Sequence, residues 1–148
     1  MIHEYVMVPM RHWQYRWLID RTPAAEGQRY GLTDEQLKNI EGPLSWTLVC
    51  DGEPVVCGGF IQQWPGRYMS WSYVDPAHGK NMVIITREVK KKVDEIQGRI
   101  EMTVRASFTQ GLRWARLLGF SVETPLMRGY GPEGEDHVGF VRFNNVRL

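Results

Sequence analysis

Between Val74 and Ile84 the chain reads Val-Asp-Pro-Ala-His-Gly-Lys-Asn-Met-Val-Ile, a short polar break between an extended run and a helical one. A lysine at a helix start attracts an anion as a point charge, and the helix dipole adds to that attraction, so Lys80 marks an anion site. The same residues also read as a plain helix entry, with Gly79 making the turn and Asn81 the cap. His78 fits a surface loop as well as a chemical role. Two carboxylates lie on nearby strands, Asp75 at the break and Glu101 further on. Glu101 alternates out of phase with Ile100 and Met102, the pattern of an exposed strand residue. Further on, Gly129-Tyr130-Gly131-Pro132-Glu133-Gly134-Glu135-Asp136 is a glycine-rich acidic loop carrying one phenol. It either receives a basic group or is a long solvated hairpin turn.

Other chemistries find little support. Cys50 and Cys57 flank an Asp51-Gly52 turn signal in apolar strand runs, without a basic neighbour to form a thiolate, so both read as reduced and buried. The four histidines are scattered without ligand spacing, and the phosphate-loop and dinucleotide fingerprints are absent, so no metal is expected. Six tryptophans and the run Lys90 to Lys92 suggest a nucleic-acid surface at first sight. The lysines interleave with Glu88, Asp94 and Glu95, however, which gives alternating charge rather than a basic patch. The formal charge of +1, from 18 basic and 17 acidic residues, gives no reason to expect nucleic acid or an anionic membrane as partner. No stretch approaches the roughly 18 apolar residues needed to cross a bilayer, and a cytoplasmic location is expected.

The elements that must position these residues can be read from period and punctuation. The 148 residues fit one domain over 1–148. Ile2 to Val8 is a first strand, after which Met10, Trp13 and Trp17 recur at helical spacing. Residues 22–31 read as an irregular connection. Thr33 with Gln36 forms a capping box, Leu32 with Leu37 the hydrophobic staple, and the helix they open runs over about 33–41, to Gly42. Residues 45–50 and Val55 to Ile61 flank Asp51-Gly52 as a hairpin, and Pro65-Gly66 turns the chain into a third strand from Arg67 to Val74. Met82, Ile85, Val89, Val93 and Ile96 then make an apolar helical stripe stopped by Gly98. Ile100, Met102 and Val104 alternate as a strand that returns beside the previous one by a right-handed crossover. A helix from about Phe108 to Leu118 ends at Gly119, and two strand-like segments close the chain. The order β-α-α-β-β-β-α-β-α-β-β mixes a meander with one crossover, which predicts an α+β domain.

That order, with Val104 to Phe120 reading VRASFTQGLRWARLLGF, resembles the GCN5-related N-acetyltransferases. It also resembles the small proteins of this type encoded by tailed bacteriophages, through Cys57-Gly58-Gly59, Trp71, Arg113-Trp114 to Phe120 and Met127-Arg128-Gly129. The resemblance covers roughly residues 44–143. It implies a central, mostly antiparallel twisted sheet of about seven strands with one crossover and flanking helices. It further implies acetyl-CoA as cofactor, with pantetheine along the strand edge at Tyr73 and Val74 and pyrophosphate at Gly79, Lys80 and Asn81.

Residue by residue, the family's phosphate loop places Gly79 at its arginine, Lys80 at its first glycine, Met82 at its second and Ile84 at its last. Phe108 stands at the family's asparagine, and Ala115 at the tyrosine that protonates the departing thiolate. A hydroxyl of Ser107, Thr109, Tyr73 or Tyr130 is left to substitute, and the resemblance gives Glu101 and Tyr130 the catalytic roles. Two functions follow: an acyl-CoA-dependent N-acyltransferase-like protein of phage origin directed at a bacterial host protein, or a non-catalytic binding module that docks on a host enzyme or serves virion assembly. Oligomeric state is left open.

Overall fold

The computed structural model describes residues 3–21 and 33–145. In chain order it contains β1 (Tyr5–Pro9), α1 (His12–Arg21), α2 (Asp34–Ile40), β2 (Ser45–Cys50), β3 (Glu53–Trp64), β4 (Arg67–Val74), a 3-10 stretch (Pro76–Asn81), α3 (Met82–Glu95), β5 (Gly98–Arg105), α4 (Thr109–Leu117), β6 (Ser121–Met127) and β7 (His137–Asn144). This is the order read from the sequence. The seven strands form one sheet in the order β1-β2-β3-β4-β5-β7-β6. Pairs β1–β2, β2–β3, β5–β7 and β6–β7 are antiparallel, whereas β4 and β5, joined through α3, are parallel. The described residues pack as two compact units, one of those up to 61 together with 71–88, the other of 62–70 together with those from 89 onward.

In the first unit Met10, Tyr15, Leu18, Leu37, Cys57 and Tyr73 form a buried cluster. The expected α1 stripe needs correction here: Trp13 is 54% exposed, and the inward face is Gln14, Tyr15 and Leu18. The sequence hid this face because it contains a polar residue. The Gln14 side-chain carbonyl accepts from the Arg11 amide at 2.8 Å and from the Thr47 hydroxyl at 2.7 Å, so its burial leaves no oxygen unpaired. Thr47 Oγ1 also lies 3.3 Å from Cys57 Sγ. Burial pushes the Cys57 thiol up to about 12, and both cysteines are free and buried. The Thr33–Gln36 capping box is present in both directions, with hydrogen bonds of 2.9 and 3.2 Å. Leu32, Ile2 and the 22–31 connection lie outside the described residues.

The Cys57-Gly58-Gly59 strand needs its glycines for contact rather than for φ. A Cβ on Gly58 would stand 2.5 Å from Trp46 Cζ2 and 2.8 Å from the Trp71 carbonyl oxygen. β3 therefore brings its backbone directly under the Trp46 ring.

In the second unit β7 ties down two helix ends. Asn144 donates from Nδ2 to the carbonyls of Val93 and Ile96 at 2.8 and 2.9 Å, which ties β7 to the end of α3. Arg142 donates to the Leu118 carbonyl at 2.7 Å, beside the left-handed Gly119 that ends α4. β6 is an edge strand, largely exposed and carrying Pro125, a residue with no amide for further pairing.

Gly58→Ala should lower stability by about 1–3 kcal/mol, the usual cost of overpacking a filled site. Urea unfolding measures this, and a wild-type midpoint would contradict the contact described for Trp46.

Candidate functional site

In the first unit, β4 delivers the chain into the polar break. Asp75 is 1% exposed, and its carboxylate accepts from the Ala77 amide at 2.9 Å, fixing the turn at Pro76. The helical path kinks at His78 (φ −96°, ψ 19°), whose Nε2 lies 3.9 Å from Asp75 Oδ2. Asp75 is thus a cap. Gly79, Lys80 and Asn81 make the last turn before α3, Lys80 is exposed, and a Cβ added at Gly79 would meet nothing within 4 Å. Neither packing nor a positive φ demands glycine there. The first turn of the 14-residue α3 carries no acidic residue, and the nearest carboxylate on this path is the Asp75 cap that precedes the 3-10 stretch. Bulky apolar side chains follow at once: Val83 is 75% exposed and Ile84 37%. Tyr73 places its ring in the core, edge-on to Tyr15 at 5.7 Å, while Val74 is half-buried.

In the second unit the parallel pairing runs Arg67↔Arg99, Tyr68↔Ile100 and Met69↔Glu101. Glu101 is not the exposed strand residue that its alternation suggests. Its carboxylate is clamped by the guanidinium of Arg67, one bond measuring 3.0 Å, and by Arg99 at 3.2 Å. Arg99 reaches on to Glu123 at 2.9 Å. The hydrogen bonds from Arg67, then those from Arg99, hold the Glu101 carboxyl below its ordinary value against the opposing effect of burial. A carboxylate held this firmly as an anion is a poor proton acceptor, so its position describes a strut rather than a base. Arg99 is raised, chiefly by its bond to Glu123.

Tyr130 is half-exposed in the loop between β6 and β7, its ring 5.1 Å from that of His137. The acidity of this loop is largely engaged internally. Glu135 lies 3.3 Å from His137 Nε2 and 3.9 Å from Arg105, Glu133 lies 3.7 Å from Arg105, and Asp136 accepts from the Gly129 amide at 2.9 Å. The sequence left two readings of this loop open, a receiver of a basic group or a solvated hairpin turn, and the structure adds that its carboxylates have partners among His137, Arg105 and the Gly129 amide. Ser107 and Thr109 are exposed, Ala115 is fully buried within α4, and Phe108 folds its ring over Gly111.

Sequence reading missed His137, the arginine clamp and one convergence of donor atoms. Among the described residues His3, Cys50 and Asp51 bring their ligand atoms within 4.8 Å of one another. His3 Nδ1 is 2.7 Å from Asp51 Oδ2, a hydrogen bond that ties the start of the chain to the β2–β3 turn. No local spacing signals a contact across 48 residues.

No family model matches the sequence, nor does any curated protein. Solved structures do match. An acetyltransferase of the GNAT family from Bacillus anthracis superposes with TM-score 0.71 at 12% identity, covering 94% of each chain. The ribosomal L7/L12 alpha-N-protein acetyltransferase in complex with coenzyme A gives TM-score 0.71 at 12% identity, covering 97% of this chain and 96% of that one. The ribosomal-protein-S18-alanine N-acetyltransferase from Escherichia coli gives 0.67 at 15%, over 98% and 100%. The fold is that of the GCN5-related N-acetyltransferases: among the described residues, a seven-stranded, mostly antiparallel sheet with four flanking helices. Among the described residues no helix is long and apolar enough to cross a membrane.

Because the Glu101 carboxyl is lowered in the fold, its stabilising contribution is complete above its ordinary value of 4.5 and is lost as pH falls through the folded value. Glu101→Gln should therefore melt below wild type at about pH 7, with the gap closing in acid. Thermal melts across pH check this. An equal gap at every pH would refute the clamp.

Proposed function

We propose that the chain is an acyl-CoA-dependent N-acyltransferase-like protein that takes acetyl-CoA. The observation that carries this reading is the entry to α3, where a long helix opens with no acidic residue in its first turn and an exposed Lys80 beside it. A helix start of this charge favours the pyrophosphate of a CoA thioester. Gly79, Lys80 and Asn81 hold that anion, and the backbone at Tyr73 and Val74 pairs with the pantetheine. The Tyr73 ring stays in the core, consistent with a role through the main chain. Tyr130 is the hydroxyl that protonates the leaving thiolate, a role its exposure permits and the buried Ala115 cannot fill. Glu101 braces the strand pair. The sequence likeness to small phage-encoded proteins supports an origin in a tailed bacteriophage, action in the host cytoplasm and a bacterial host protein as acceptor.

A second reading rests on Val83 and Ile84, exposed apolar residues in the first turn of α3. They favour a binding module that docks on a host enzyme or serves virion assembly without turnover. The two readings separate by the mass of the captured partner, which gains one acyl group only under the first.

Calorimetry with acetyl-CoA on the full chain should show binding. Lys80→Ala should weaken it by about tenfold or less, the value of one charge at a helix start. Gly79→Ala should leave stability intact, since a Cβ there meets nothing within 4 Å, yet weaken binding by crowding the anion. Absence of binding heat at millimolar acetyl-CoA would overturn the acyltransferase reading.

A further inference from the structure

Just before β1 and at the end of β2, three side chains of different chemistry meet. His3, Cys50 and Asp51 bring one donor atom each to within 4.8 Å of one another. His3 Nδ1 lies 2.7 Å from Asp51 Oδ2, and Cys50 Sγ lies 3.8 Å from the same oxygen. In a tetrahedral zinc site, bonds of about 2.0 Å to nitrogen and oxygen and about 2.3 Å to sulfur set neighbouring donors roughly 3.3–3.6 Å apart. The observed separations fall on either side of that range. The nitrogen–oxygen pair must open by roughly 0.6 Å, and the sulfur–oxygen pair must close by less. The His3 side chain is 50% exposed, so it makes that move without disturbing the core.

The backbone fixes the other two donors. Cys50 closes β2 and pairs in register with Tyr5 of β1 and Glu53 of β3, so its thiol is placed by the sheet. Asp51 stands in the following turn at φ 50°, a region that residues other than glycine seldom occupy. Its amide donates to the Glu4 carbonyl at 3.0 Å, and its Oδ1 accepts from the Glu4 amide at 3.0 Å. Oδ2 is thereby turned toward the imidazole and the thiol, as an outer hydrogen bond orients a ligating carboxylate. Tyr5 is directly opposite Cys50, and opposed residues of an antiparallel pair share one face of the sheet. Among the described residues its hydroxyl is buried and has no hydrogen-bond partner.

We propose that His3, Cys50 and Asp51 bind one zinc ion, with a water in the fourth position hydrogen-bonded to the Tyr5 hydroxyl. As the Zn–S bond forms, the Cys50 thiol gives its proton to solvent. The hydrogen that the His3 ring directs at Asp51 moves to Nε2, which leaves the Nδ1 lone pair for the metal. One thiolate and one carboxylate then balance the dication. Sulfur and imidazole select zinc over magnesium and calcium, which take oxygen ligands. The ion joins β1 to a turn 48 residues away, so its binding adds to folding stability. This site does not depend on the acyltransferase reading.

The test is zinc sulfate titrated calorimetrically into the full chain, with cobalt(II) as a spectroscopic probe and magnesium as the oxygen-seeking control. Wild type should take up one zinc ion per chain and melt at a temperature that rises with zinc concentration. Cobalt should give a thiolate-to-metal charge-transfer band, and magnesium should give no heat. His3→Ala and Cys50→Ser should each weaken zinc by about a hundredfold or more, since loss of an outer-shell group alone costs about 10–100-fold. His3 is exposed, so His3→Ala keeps the question open to measurement even if Cys50→Ser fails to fold. Absence of zinc heat, a cobalt spectrum without the thiolate band, magnesium binding as well as zinc, or wild-type affinity in His3→Ala would each overturn the proposal. Zinc and acetyl-CoA are titrated separately, so the failure of one reading leaves the other standing.

Discussion

Three residue pairs hold β4 beside β5, and a line of charges is what fixes them. Arg67 and Arg99 close on Glu101 from neighbouring strands, and Arg99 passes on to Glu123. A parallel pair needs a long crossover before its strands can meet, so its register is not set by a tight turn as in a hairpin. Alternating guanidinium and carboxylate groups supply that register: a slip by one residue would place Arg67 beside the wrong partner. Gly98 completes the alignment, because at φ +129° its Cβ position would lie 2.5 Å from the Gly66 carbonyl oxygen, and the Arg99 amide donates to that oxygen at 2.8 Å. Removing the clamp would loosen the parallel pairing of β4 with β5.

Much of the architecture was legible in the sequence because it was written in local terms. The Thr33–Gln36 box, the Asp51-Gly52 turn, the stop at Gly119 and the apolar stripe through Ile85, Val89 and Val93 involve residues a few positions apart, and each stands where expected. The inward face of α1 was misread because Gln14 enters the core through a bond to Thr47, 33 residues away. Glu101 was misread for the same reason, its partner Arg67 being 34 residues distant. Periodicity reports which side of a strand a residue occupies. It does not report a charged partner on the neighbouring strand.

The two carboxylates singled out for chemistry are both bound to structural tasks, Asp75 at a turn and Glu101 in the clamp. What is left for function lies in residues that packing does not require in their present form. Gly79 has open space where a side chain would stand, Lys80 is exposed just before α3, and His137 keeps Nδ1 buried without a hydrogen-bond partner. A fold shared at 12–15% identity fixes the scaffold and leaves the activity to such sites. On the acyltransferase reading, loss of the family's tyrosine acid need not end catalysis, because holding two reactants together itself contributes rate.

The proposed role of the α3 entry is to hold the diphosphate of an acyl-CoA. Amide hydrogen exchange followed residue by residue, with and without saturating acetyl-CoA, tests it most directly. The account predicts that exchange slows across Ala77 to Ile85 when the thioester is present, with the largest effect around Gly79 to Asn81. Unchanged exchange through that segment at saturating acetyl-CoA would contradict it.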